Sequence, residues 1–219
     1  MNSPIGMAVY QVDKIQKDVR IVLDQNMTSD ALTALQDTET LSLDELIESK
    51  VVEAVRRVHN EAPLDKLNQG HNFGDALYWR GADTCGWTLL PDDFMRLIVF
   101  MMDDWDRAVY KPLHIDNPKY YKQASRFKGI RGTPQHPKCA IAIRPEGKVL
   151  EFYSCKSQEA KVGRAVYIPY PKIDQYGGIE ISNQCYEAVV YVIASLVSAT
   201  IGDIEKVKLF NELAQSLLV

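Results

Sequence analysis

Five aspartates close together in the sequence, Asp92, Asp93, Asp103, Asp104 and Asp106, are the residues best equipped for chemistry. Paired carboxylates can serve as general acid and base, or hold a hard cation through oxygen ligands. These five flank an apolar run, so turn formation and solubilisation of strand ends account for them, because Asp hydrogen-bonds readily to nearby backbone. An enzyme would need a concave pocket with perturbed carboxylates near Asp103 to Asp106. The four histidines, His59, His71, His114 and His136, lack the spacing of a closed zinc site and read as polar surface or loop residues. Cys85, Cys139, Cys155 and Cys185 form no CxxC pair. No GxxxxGK[ST], GxGxxG, GxSxG or HExxH motif occurs. The expectation is a protein without catalytic residues, metal or cofactor, and not an enzyme.

Residues 119–138 are the most asymmetric stretch. Lys119, Lys122, Arg126, Lys128, Arg131 and Lys138 occur there without any acidic residue, interleaved with Tyr120, Tyr121 and Phe127. Cations beside aromatic rings suit a phosphate backbone or an acidic protein surface. Lys119, Tyr120, Tyr121, Lys122, Arg126, Lys128 and Arg131 are therefore the candidate partner- or DNA-facing residues, although a solvated loop would need no partner. Gly129-Ile-Arg-Gly132 has the GxxG form of a KH clamp, but Pro134 and Pro137 stand where its second helix must run. In the opposite sense, residues 24–53 hold eight carboxylates and one cation, Lys50. Complementary patches on one chain suit head-to-tail self-association into a ring.

The elements that must position these patches follow from hydrophobic spacing. Val12, Ile15, Val19 and Val22 recur at helical steps, predicting a helix over residues 10–25, and residues 26–40 read as a loop. Ser42 and Glu45 form a capping box that opens a second helix, ended by Pro63, and acidic residues crowd its first turns as the helix dipole favours. Residues 64–87, with Gly70, Gly74, Gly81 and Gly86, read as loop. The run Phe94 to Met102 reads as a buried strand after a turn at Pro91, with 107–114 returning as its hairpin partner. Residues 139–144 and 149–155 around Pro145-Glu-Gly form the strongest hairpin signal, and 164–170 a further strand, all expected in one small antiparallel sheet. Ser182 or Asn183 can cap a core helix to about Ile201. Asp203 can cap another with Val207, Phe210, Leu213, Ala214 and Leu217 on its apolar face.

The order helices, strands, helices predicts an α+β fold: a helical bundle from residues 8–62 and 182–219 around a β-rich insertion, 63–181. The chain has 219 residues, 46% hydrophobic and 25% charged, enough for a self-sufficient core and against the disordered and disulfide-scaffold classes. A net charge of -4 argues against a surface that is cationic throughout, so any contact with nucleic acid must be local. Residues 1–6 do not begin a signal peptide, and the apolar stretch 188–201 is interrupted by Ser195, Ser198 and Thr200, so a cytoplasmic, non-membrane origin is expected.

Across nearly its whole length the chain resembles the head-to-tail connector proteins of tailed bacteriophages, most closely the ring (adaptor) proteins of crAss-like phages. The resemblance is carried by Val19-Arg-Ile-Val-Leu-Asp, Thr40-Leu-Ser-Leu-Asp-Glu-Leu-Ile-Glu-Ser-Lys, Val55-Arg-Arg-Val, Asn60-Glu-Ala-Pro, Leu90-Pro-Asp-Asp-Phe-Met-Arg-Leu, Ser125-Arg-Phe-Lys-Gly-Ile-Arg-Gly and Arg144-Pro-Glu-Gly-Lys-Val-Leu-Glu-Phe-Tyr-Ser-Cys. It implies a virion structural protein at the head-tail interface, in the host cytoplasm during assembly. Its partners would be copies of itself in a dodecameric ring, the portal protein and the next tail or ring protein, with viral DNA passing through the channel. The family's use of terminal segments at the portal makes Phe210, Leu213 and Leu217 the candidate portal-contacting residues. The alternative is a nucleic-acid-binding protein using residues 119–138.

Overall fold

Two antiparallel strands, Met7–Gln11 (β1) and Gly178–Ser182 (β10), join the beginning of the chain to its last third. The structure, a computed structural model, describes residues 7–23, 42–67, 70–81, 83–125, 127, 130–153 and 155–219. The fold class is α+β, 39% helical and 29% strand. The chain divides into two compact units, Met1–Gln69 with Tyr170–Val219, and Gly70–Pro169. The sequence-based boundaries fall at 62/63 and 181/182 instead, which would assign β10 to the insertion.

In the first unit, helix Val12–Val22 (α1) buries Val12, Ile15 and Val19. It starts two residues later than expected because Tyr10 and Gln11 belong to β1, where Tyr10 stacks on Tyr186 at 4.2 Å. The predicted loop 26–40 lies outside the described residues. Helix Leu43–Glu61 (α2) begins with the full capping box: Ser42 Oγ accepts from the Glu45 amide, and the Glu45 carboxylate accepts from the Ser42 amide. The buried face of α2 is Leu43, Ile47, Val51, Ala54, Val55 and Val58. His59 is also buried, contrary to expectation. Its Nε2 accepts from the Ser182 amide at 3.2 Å, so this imidazole supplies the acceptor that the end of β10 needs.

Helix Tyr186–Ile201 (α4, the short helix Pro118–Lys122 of the other unit being α3) packs on α1, α2 and helix Ile204–Leu218 (α5). Asn183–Ile201 is long and apolar enough to cross a membrane by length and composition, and half of it is buried among these elements. Neither Ser182 nor Asn183 caps α4. A short 3-10 turn, Asn183–Cys185, intervenes, and Ser182 Oγ donates to the Lys66 carbonyl instead. Asp203 does cap α5, accepting from the Lys206 amide at 3.1 Å.

The second unit holds two sheets rather than the single one expected. Phe94–Met102 (β5) pairs with Val162–Pro169 (β9), which also pairs with His71–Asn72 (β2). The other sheet runs Tyr78–Trp79 (β3), Gly86–Leu89 (β4), Gly147–Tyr153 (β8), Lys138–Arg144 (β7) and Leu113–His114 (β6). The β7–β8 hairpin has the predicted pairing, from Arg144 opposite Gly147 onward. Residues 107–114 are not the hairpin partner of β5. They meet it only at the Phe100–Val109 bridge, and β6 then joins β7 in parallel. The predicted loop 64–87 contains β2, β3 and the start of β4. Glycine is required at position 86, where a Cβ would stand 2.3 Å from the Tyr78 carbonyl oxygen and 2.7 Å from the Phe152 ring. The two sheets share one core, in which Phe100 of β5 stacks on Phe152 of β8 and Phe94 stacks on Tyr167.

Candidate functional site

Strand β8 alternates Leu150 and Phe152, which face the shared core, with Val149, Glu151 and Tyr153 on the opposite face. The register brings Trp87 of β4 and Ala140 of β7 beside Glu151 on that outer face. A carboxylate there is only 3% exposed, and burying a charge is costly unless donors surround it. Four side chains meet that need. Arg144 donates through Nη2 at 2.6 Å and Nε at 3.1 Å, Tyr153 donates at 2.6 Å and Tyr120 at 3.2 Å, and the Arg80 guanidinium stands 3.6 Å away. The Arg144 guanidinium also lies 3.9 Å above the Trp87 ring, which stacks on Tyr78.

The electrostatics follow from this geometry. Burial pushes the Glu151 carboxyl up, but the hydrogen bonds from Tyr153 and Arg144 and the two guanidinium charges outweigh it and hold the group below its usual value. Burial, followed by the hydrogen bond to the carboxylate, pushes Tyr153 far up, and Tyr120 is raised by burial and by Glu151. With the carboxylate favoured in its ionised form and both tyrosines favoured as phenols, the cluster acts as a brace.

What it braces is the basic stretch. Asn117 caps the five-residue helix Pro118–Lys122 (α3), whose Pro118 stands at its first turn as proline favours. Tyr120 of α3 turns inward to Glu151 and packs with Cys85, Ala140 and Tyr153. The buried Gln123 donates to the Lys119 carbonyl and accepts from the Gly132 amide at 2.8 Å, and Arg131 pairs with Asp83 at 3.3 Å. With those anchors made, Tyr121 is 72% exposed, Phe127 74% and Ile130 50%, alongside exposed Lys119 and Lys122. Of the predicted partner-facing residues, Lys119, Tyr121 and Lys122 are therefore presented outward, while Tyr120 and Arg131 serve the scaffold. Arg126 and Lys128 lie outside the described residues, as does Gly129 of the GxxG sequence.

The predicted portal-contacting residues separate as well. Phe210 is buried and packs near Tyr191, Leu213 is exposed and Leu217 half-buried. Four of the five aspartates are engaged with residues 50 or more positions away in the sequence. Asp93 accepts from the Tyr167 hydroxyl, Asp103 from the Lys161 amide and Asp104 from the Lys156 amide, while Asp106 stands 3.5 Å from the Lys156 ammonium. All four cysteines are buried and none is in a disulfide, and burial pushes Cys139, Cys155 and Cys185 up, keeping these three as thiols. Among the described residues no group of three or more His, Cys, Asp or Glu side chains is placed to hold a metal ion. An open cleft of about 480 Å³ lies elsewhere on this unit, with Asp75, Lys161 and Arg164 in its wall.

Reading the sequence missed Glu151, Arg144, Arg80 and Trp87. The available signal was an acidic residue at the centre of an alternating apolar strand, where a charge must be paired or the strand cannot be buried. No protein-family model matches the chain, and no curated protein matches it.

Proposed function

We propose that this chain is a subunit of the ring that joins the portal of a tailed bacteriophage to its tail and extends the DNA channel. The reading rests on the whole-chain resemblance. The observation that supports it is an exposed basic and aromatic lobe, braced through Tyr120, Gln123 and Arg131, on a unit inserted between the two halves of a helical one. A lobe fixed before binding loses little conformational freedom on contact, and such contacts repeated around a closed ring reinforce one another. The ring would be dodecameric, as in the resembling family, with α5 reaching the portal. Since Phe210 faces inward, the contact falls to Leu213 and the adjacent exposed Leu209.

Antibody-gold electron microscopy on particles made by the genome encoding this chain tests the proposal. Label at the head-tail vertex is expected, and intact tailed particles without label would overturn it. A second reading, direct nucleic-acid binding, is favoured by exposed Tyr121 and Phe127 beside Lys119 and Lys122, since bases stack on such rings. Its signature is an affinity for DNA that falls steeply with salt.

A further inference from the structure

We infer that the free edge of β1 pairs antiparallel with β1 of a second copy of this chain, the two strands meeting about a two-fold axis at Val9. The inference does not rest on the connector reading, because a contact made by the same patch on both copies joins them in pairs and cannot by itself close a ring. In an antiparallel pair, residues alternate between those whose backbone groups face the neighbouring strand and those whose groups face away. In β10 the Ser182 amide donates to His59 Nε2 at 3.2 Å. The Gly178 carbonyl accepts from the Asp174 amide and the Gly178 amide donates to Asp174 Oδ1, both at 2.8 Å. Ser182 and Gly178 therefore turn away from β1. Their opposites across the register are Met7 and Gln11, and Val9 stands midway, opposite Glu180. The β1–β10 bonds thus fall at Ala8 and Tyr10, while Met7, Val9 and Gln11 aim their N–H and C=O groups at the other side of β1. No strand lies there among the described residues, since β1 and β10 form a sheet of two.

The occupant follows from what the edge lacks. Met7, Ala8, Val9, Tyr10 and Gln11 include no charge and no proline, and their register carries no bulge, although these are the devices by which solvent-facing edges avoid pairing. Val9 is 57% exposed and lies over Gly178, where a Cβ would come within 2.6 Å of Val9 Cγ1. An uncharged edge selects a strand by backbone pairing and shape rather than by charge. Two copies of β1 match each other in length, in charge and in the spacing of their outward groups. The two-fold lets the two Val9 residues exchange both of their backbone bonds and sets their side chains opposite each other on one face. Two residues on, each Gln11 amide meets the Met7 carbonyl of the other copy, while the Gln11 carbonyl, at the N-cap of α1, belongs to that helix. Beyond it, Gly177 accepts from the Val12 amide at 2.9 Å and adjoins Tyr176, which is 79% exposed. The two-fold places one such ring toward each end of the joined strands.

The test uses the full chain and the variants Val9→Lys and Val9→Cys, with self-association followed by sedimentation velocity and folding checked by circular dichroism. Wild-type protein should form dimers, and Val9→Lys should need at least about 10-fold more protein to do so, because two ammonium groups then face each other across the axis. In Val9→Cys the two introduced thiols face each other, whereas the four native cysteines are buried, so mild oxidation should link two copies through position 9. Hydrogen exchange reads the same contact in the unaltered protein: protection of the Val9 amide should rise with protein concentration. If Val9→Lys does not fold, the cross-link and the exchange decide. A wild-type chain that stays monomeric at about 0.1 mM would overturn the inference. So would folded Val9→Lys that dimerises like wild type, Val9→Cys dimers that oxidation does not link, or a Val9 amide whose exchange ignores concentration. The gold-labelling result depends on none of these outcomes, so the connector reading can stand if the edge contact fails.

Discussion

Glu151 shows how much can depend on one buried charge. Its carboxylate collects donors from β7, β8 and α3, and removing it would leave Arg144 and Arg80 facing each other without a counter-charge. Breaking one partner of a buried pair typically costs about 3–5 kcal/mol, so Glu151→Gln should lower the urea midpoint markedly. Tyr153→Phe, which removes one donor, should cost about 1–2 kcal/mol. Acid should have a related effect. Because the folded carboxyl lies below its unfolded value of about 4.5, its contribution is fully present above that pH and is lost as pH falls through the lower folded value. Urea titrations from pH 6 down to pH 3 should therefore show a loss of stability that is smaller in Glu151→Gln. Nothing in the composition marks this residue. Its position at the centre of an alternating strand was visible in the sequence, but the four donors come from places up to 71 residues away, from Arg80 to Glu151.

At the scale of elements, local chemistry explains most of what forms. The capping box at Ser42, the Asp203 cap and the β7–β8 hairpin depend on groups within a few residues of one another, so the sequence is sufficient to predict them. Asp203→Ala should cost about 1 kcal/mol while Asp203→Asn keeps most of the cap, as thermal unfolding would show. Gly86→Ala should be worse than either, by about 1–3 kcal/mol, because the added methyl meets the backbone of β3 and a buried Phe152 ring. A retained midpoint in Gly86→Ala would mean that the β3–β4 pair yields more easily than its close packing indicates. The errors of prediction fall where pairing is long-range. β5 takes β9 as its partner, across about 60 residues, because β9 offers the apolar Tyr167 and Ala165 to the same core as Phe94 and Phe100. Residues 107–114 follow β5 directly and still meet it at a single bridge.

For the whole molecule, the proposed ring would be an assembly that weakens with salt if its contacts join the opposed basic and acidic stretches. If Lys119 and Lys122 face acidic residues of another subunit, raising salt from 0.05 to 0.5 M should weaken self-association several-fold, because the screening length falls from above 10 Å to about 4–5 Å. Sedimentation velocity across that range would measure the effect, and assembly insensitive to salt would point to an apolar contact instead. The sequence alone determined the α+β class, the four long helices with the Ser42 and Asp203 caps, the main hairpin and the presence of opposed basic and acidic stretches, since each depends on residue type and short-range spacing. The tertiary structure decided which members of the basic stretch are available. Tyr120 and Arg131 turn to Glu151 and Asp83, Phe210 turns into the helical core, and Tyr121, Phe127 and Ile130 are left exposed. The physical reason is that a side chain's partner is set by strands brought together across the chain, and composition carries no record of that meeting.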